Sequence, residues 1–251
     1  MHKNTKIKMK KIRIFYPKMI KLHDVIIITK EKKNYHYLKN VLRIKNTDNV
    51  EIFNNTKYIF YCKINILEKK IELIIHSKKK FNNESPIYIH YAQIIPKKIK
   101  KIDFSIQKST ELGVNEITPI YFKKKNNQLD SFIKKNRRWK EIIISSCLQS
   151  ERMRIPILNK PIEFEKWCEF IKNIKCAKVV FSPNSSLKIK DLKKNINKIV
   201  FLIGPENGLE ENIEKIVSFG FIKLNLGPRI LKTDTASITA ISNIQSQYGD
   251  I

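Results

Sequence analysis

Two stretches near the C-terminal end carry the residue types best suited to holding a ligand: FLIGPENGLEENI (201–213) and LGPRILKTDTA (226–236). In each, an apolar run stops at Gly-Pro. Gly204 leaves no side chain in a ligand's way, Pro205 fixes the turn and Gly208 permits a positive φ. Glu206, Glu210 and Glu211 make a poor phosphate cradle, and neither a P-loop Lys-Ser/Thr nor GxGxxG is present. A ligand of adenine or cationic character fits this loop better than a triphosphate. The second stretch repeats the logic, with Gly227-Pro228 followed by a helix starting near Thr233 or Asp234, both N-cap types. Two such loops close in sequence form opposite walls of one pocket.

The elements that must position these loops follow from periodicity. RIFYP, DVIIIT, NVEIFNN, YIFYCKINIL and IELIIHS are short β-rich runs, which predict a small β-barrel over the first third. One helix interrupts them, NYHYLKNVLRI, with Tyr37, Leu38, Val41 and Leu42 on one face. KKKFNNESP (78–86) has the composition of a linker. Beyond Pro86, strands alternate with helices, which predicts a mainly parallel α/β sheet. Ile99, Ile102 and Ile106 keep helical spacing before Gly113, and a long basic helix covers residues 131–150.

The chain has 251 residues, 42% of them hydrophobic, which excludes disorder for the bulk of it. A formal net charge of +27 favours polyanions, nucleic acid first, although heavy Lys, Ile and Asn usage also fits an AT-rich genome. Cys62, Cys147, Cys168 and Cys176 form no CxxC pair, so no metal site is expected and the thiols read as reduced, in a cytoplasmic protein. The N-terminus, MHKNTKIKMKK, is basic without the apolar region of a signal peptide. Residues 1–10 read as a flexible basic arm.

IGPENG together with LGPRILKTDTA resembles the C-terminal signature of the RsmE family, ribosomal RNA uracil-N3 methyltransferases of the SPOUT superfamily. DFSIQKSTELGVNEITPI resembles the family's opening helix and second strand, and CLQSERMRIP its EQxxRxxxP segment. RIFYP and HYLKNVLRI resemble its N-terminal RNA-binding barrel. The resemblance implies a PUA-like β-barrel over 11–80 and, over 84–251, a SPOUT α/β methyltransferase domain with a C-terminal trefoil knot. It also implies S-adenosyl-L-methionine (SAM) as cofactor, a homodimer, and as partner the small-subunit (16S) ribosomal RNA or the assembled 30S subunit.

By the same resemblance, Leu202, Ile203, Gly204, Glu206 and Gly208 line one cofactor wall, and Leu226, Gly227, Ile230, Leu231, Thr235 and Ala236 the other. FSPNSS (181–186) is a weaker candidate for cofactor contact. Arg13, Arg43, Gln149, Arg152 and Arg154 correspond to RNA contacts. The chemistry asks for a cation that stabilises the uracil anion left when N3 loses its proton, and Arg152, Arg229 or Lys232 carries it; the proton acceptor stays unassigned. Against the family pattern, Lys232 and Asp234 replace Arg and Glu, Leu148 replaces Glu, and Phe122, Lys123 and Lys124 replace Ser-Glu-Arg. Asn207 replaces a glycine and is expected to keep the loop's path by tolerating a left-handed backbone. The rival readings are a ribosome-assembly factor with weak or no activity, and a SPOUT enzyme acting on another nucleotide.

Overall fold

The computed structural model describes residues 12–96, 100–122 and 129–251, so the basic arm, Ile99, Lys123 and Lys124 lie outside the described residues. The chain divides into two compact units, Met1–Asn83 and Glu84–Ile251.

In the first unit, β1 (Ile12–Phe15), β2 (Val25–Thr29), β3 (Val50–Phe53), β4 (Tyr58–Ile66) and β5 (Lys70–Lys80) form a sheet in the order β1-β3-β4-β5-β2. β1 runs parallel to β3, and the other pairs are antiparallel. Alternation decides the faces: Ile71, Leu73 and Ile75 of β5 turn inward with Phe60, Cys62 and Ile64 of β4. Two expectations are corrected. Lys78, Lys79 and Lys80 belong to β5, paired with Phe60, Ile59 and Tyr58, because the hairpin continues past the apolar run into the supposed linker. The predicted helix is a single turn, α1 (Lys33–His36), continued by a π-helical turn at Tyr37–Val41. The wider turn breaks the expected 3.6-residue face, so Tyr35 and Leu38 are buried while Tyr37 and Val41 are exposed.

The second unit is a parallel sheet between helices. β6 (Tyr88–Ile94), β7 (Glu116–Tyr121), β8 (Ile157–Leu158), β10 (Ala177–Phe181), β11 (Lys198–Ile203) and β12 (Ile222–Leu224) run in the order β12-β10-β11-β6-β7-β8, and β9 (Ile162–Glu163) also pairs with β7. Both faces of β6 and β11 are covered, which is why β11 is apolar after Lys198; β6 is buried nearly as fully but carries His90 and Gln93. The helices are α2 (Lys100–Glu111), α3 (Leu129–Gln149), α4 (Phe164–Lys172), α5 (Ile213–Ser218) and α6 (Thr233–Tyr248). Ile102 and Ile106 are buried, and Gly113 takes a φ of +87° just past α2. Burial raises the Cys62 and Cys168 thiols to about 12, which makes them inert core residues. Among the described residues no helix is long and apolar enough to cross a membrane.

Candidate cofactor pocket and its supports

β10, β11 and β12 are neighbours in the sheet, and parallel strands place their C-terminal ends on one edge. The loops leaving them close around a single cavity of about 540 Å³. Phe181, Ser182 and Pro183 line it from the first loop and Ile203 to Glu210 from the second. Asn225, Leu226, Gly227 and Arg229 to Thr233 line it from the third, with Ala236 of α6 and Lys101 of α2.

The glycines hold this shape for different reasons. A side chain at Gly204 would meet Leu209 Cγ at 2.8 Å, so the turn closes only without one. Gly208 and Gly227 have φ of +78° and +123°. Asn207, by contrast, is not among the residues with positive φ, so the expected left-handed Asn is corrected: Gly208 alone turns the loop. Gly208 N–H donates to the Pro205 carbonyl at 3.0 Å and completes the turn.

Asn225 ties the third loop to the first. Its Nδ2 donates to the carbonyls of Pro183 (2.8 Å) and Ser185 (3.0 Å), and its Oδ1 accepts from Gly227 N–H at 2.5 Å. Ser182 Oγ donates to Glu210 Oε1 at 2.9 Å, which binds the first loop to the second. The helix starts at Thr233, as expected, but its N-cap is Lys232 rather than Thr233 or Asp234, and Lys232 makes no side-chain cap bond. Thr233 instead donates from Oγ1 to the Gly204 carbonyl at 3.3 Å, and Asp234 Oδ1 accepts from Thr235 N–H. Lys101 and Glu206 form an ion pair at 3.3 Å.

Beneath the pocket lies a buried polar cluster. Gln93 Nε2 donates to the carbonyls of Ile94 (2.6 Å), Gly204 (3.3 Å) and Ile203 (3.4 Å), and its Oε1 accepts from the Tyr91 hydroxyl. Burial raises the Tyr91 hydroxyl well above the usual phenol range, while hydrogen bonds with Ser237 and Ser105 oppose the shift.

Most expected cofactor residues line the cavity; Leu202 and Thr235 do not. Leu202 points into the hydrophobic core, and Thr235 is exposed on α6. Arg229 and Lys232 are exposed on the cavity wall, and Ile230 is 90% exposed at its rim.

Arg152 does not line the cavity. It is buried, with Nε and Nη2 donating to Glu84 Oε2 (3.2 and 2.6 Å) and Nη1 to the carbonyls of Thr110 (2.9 Å) and Val114 (2.7 Å). Glu84 Oε1 also accepts from the N–H groups of Met153 and Arg154. This guanidinium staples the start of the unit to the ends of α2 and α3. Arg13 is buried as well, its guanidinium 4.3 Å from the centre of the Phe53 ring. Arg43, Gln149 and Arg154 are exposed.

The sequence reading missed Lys101, Asn225 and Gln93. Lys101 stands in a lysine-rich run, Asn225 in an Asn-rich chain and Gln93 inside an apolar strand, so none carried a distinguishing signal.

The RNA methyltransferase domain family matches residues 83–245, and the RNA methyltransferase PUA domain family matches 31–75. The chain is 44% identical to a ribosomal RNA small subunit methyltransferase E from Buchnera aphidicola subsp. Schizaphis graminum, over 95% of this chain and 97% of that one. To the protein of the same name from Buchnera aphidicola subsp. Acyrthosiphon pisum it is 43% identical, over 100% and 99%. The crystal structure of a ribosomal RNA small subunit methyltransferase E from Neisseria gonorrhoeae bound to SAM superposes with a TM-score of 0.85, at 30% identity over 96% of this chain and 100% of that one. A Legionella pneumophila methyltransferase structure, also with SAM bound, gives 0.86 at 32% identity over the same shares.

Proposed function

Since the chain belongs to the ribosomal RNA small subunit methyltransferase E family, we propose that it transfers a methyl group from SAM to N3 of a uridine in 16S ribosomal RNA. The observation that carries this reading is the convergence of the three strand-end loops on one cavity. The residues present suit SAM. Ile203, Leu209, Leu226 and Leu231 offer aliphatic packing for adenine, and the Gly204 and Gly227 turns expose backbone for polar recognition. Glu206 and Glu210 supply negative charge suited to a cationic ligand.

When bound, SAM supplies an electrophilic methyl group on a sulfonium. The chain's own part is to position and to stabilise charge. Arg229 and Lys232, exposed on the cavity wall, are the cations available to the uracil anion once the proton has left N3. Arg152 has no part in that step. Arg43, Gln149 and Arg154, all exposed, serve as RNA contacts, with 11–80 as the PUA-like RNA-binding domain and 84–251 as the methyltransferase domain.

We further propose that the second unit is trefoil-knotted and that it works as a cytoplasmic homodimer on the assembled 30S subunit. Support for the knot comes from the chain's likeness to ribosomal RNA small subunit methyltransferase E proteins. Light scattering after size exclusion reads the dimer directly, and a monomer at working concentration contradicts it. Incubation with unmodified 30S subunits and methyl-labelled SAM, followed by nucleoside mass spectrometry, tests the reaction. 3-Methyluridine is expected, and label on any other base overturns the N3 assignment.

A further inference from the structure

Ile203 is the last residue of β11, and beyond it the backbone leaves the sheet with Gly204 and Pro205 half-buried. Carbonyl groups in such a place need donors, or their burial is costly. Gly204 has its carbonyl on the peptide bond to Pro205, a unit with no N–H of its own. The orientation of that peptide plane is therefore set by what bonds to its oxygen. Two side chains do so, Gln93 from β6 and Thr233 from α6.

Gln93 is itself fixed. An amide can turn by 180° and exchange donor for acceptor, and only its surroundings decide between the two orientations. The Tyr91 hydroxyl, donating to Oε1, holds Nε2 toward the carbonyls. Tyr91 is in turn stacked on Phe201 with ring centres 5.1 Å apart. Tyr91 and Gln93 are each at most 1% exposed, so water does not substitute for the bond between them. A strand buried on both faces needs no polar side chain for packing, and two of them directly beneath a ligand-lining turn call for another purpose.

We infer that Gln93 is a positioning residue for the methyl donor, with Tyr91 as the group that sets its amide. It acts through the Gly204–Pro205 peptide, whose orientation aims the Glu206–Gly208 turn into the cavity. This rests on the assignment of that cavity to SAM.

The test uses the full-length protein and three variants, Gln93→Leu, Gln93→Glu and Tyr91→Phe. SAM affinity is measured by calorimetry, thermal midpoints report folding, and KM is determined separately for SAM and for 30S subunits. Gln93→Leu is expected to weaken SAM binding about tenfold or more, with KM for SAM rising in step and KM for 30S subunits within about twofold of wild type. Gln93→Glu should bind as poorly as Gln93→Leu at high pH and recover affinity as pH falls, because the protonated carboxyl regains one donor and keeps one acceptor. Thermal midpoints taken at each pH separate this recovery from loosening of the core by a buried carboxylate, because positioning requires affinity to recover by more than the midpoint explains. Tyr91→Phe keeps the stacked ring, removes one hydroxyl and should lose about threefold in SAM affinity. If Gln93→Leu fails to fold, the affinity of Tyr91→Phe decides the question.

Wild-type SAM affinity in a folded Gln93→Leu or Tyr91→Phe protein overturns the inference alone, as does an equal rise in both KM values. Failure of the wild-type protein to bind SAM overturns the reading of the pocket, and this inference with it.

Discussion

At the N-terminal ends of the second unit's strands, Arg152 and Glu84 are buried against each other, and His90 lies among Thr118, Glu116, Tyr88 and Asn159. At the C-terminal ends, Arg229 and Lys232 stand exposed beside glycine turns, and the buried groups below them are an amide, hydroxyls and carbonyls. One end therefore neutralises its ions internally, whereas the other keeps cations at the surface and leaves backbone to meet a ligand. Buried ions at the first end hold elements together. At the second, buried neutral groups fix the backbone without committing charge.

The most severe way to test this contrast is Arg152→Ala, which removes the counter-ion from a buried Glu84 carboxylate. Urea denaturation should show a loss of about 3–5 kcal/mol, with SAM affinity in the remaining folded protein nearly unchanged. A selective loss of methyl transfer without loss of stability would return Arg152 to the reaction.

Acid probes the same end more gently. Burial lowers the His90 imidazole to about 4 from 6.5, opposed by Glu116 and assisted by Lys198. The unfolded chain therefore takes up this proton first as pH falls. Stability is complete above about pH 6.5 and declines toward pH 4, on the order of 2–3 kcal/mol from this residue alone. His90→Gln should flatten that slope in urea titrations at stepped pH; an unaltered slope assigns the acid response elsewhere.

At the pocket end the expected effects fall on binding. Gly227→Val forces a β-branched residue to a φ of +123°, a strain of about 1–3 kcal/mol. Calorimetry should show at least about a tenfold loss of SAM affinity for a smaller change in thermal midpoint. The smallest effect belongs to Glu206→Gln. It breaks a partly exposed ion pair with Lys101, and stability should move by less than about 1 kcal/mol. A larger change would mean that the pair holds the loop.

What the sequence disclosed follows the same division. The glycine loops were legible because Gly and Pro at strand ends restrict backbone in ways few other contexts require. The burial of Arg13 and Arg152 was not legible, because a positive charge has the same letter whether it faces phosphate, an aromatic ring or a buried carboxylate. Gln93 and Tyr91 were invisible for the opposite reason: a polar residue within an apolar strand has no spacing that reveals its partner, here the Ile203 carbonyl 110 residues along the chain. The π-helical turn escaped because the pattern was projected on a 3.6-residue period.

The pairing of β6 with β11 has a kinetic consequence. β11 lies directly beside β6, with Gln93 opposite Ile203, although β7 to β10 intervene in sequence. So distant a closure is slow compared with forming a hairpin, and on the ribosome it waits until β11 has been synthesised. The cavity needs still more, since its third wall follows β12 and its last lining residue, Ala236, is on the final helix. A nascent chain halted before β12 therefore carries the first unit without a pocket for the methyl donor. Acquisition of SAM affinity is then a late event in biosynthesis, and it reports that the C-terminal segment has reached its place.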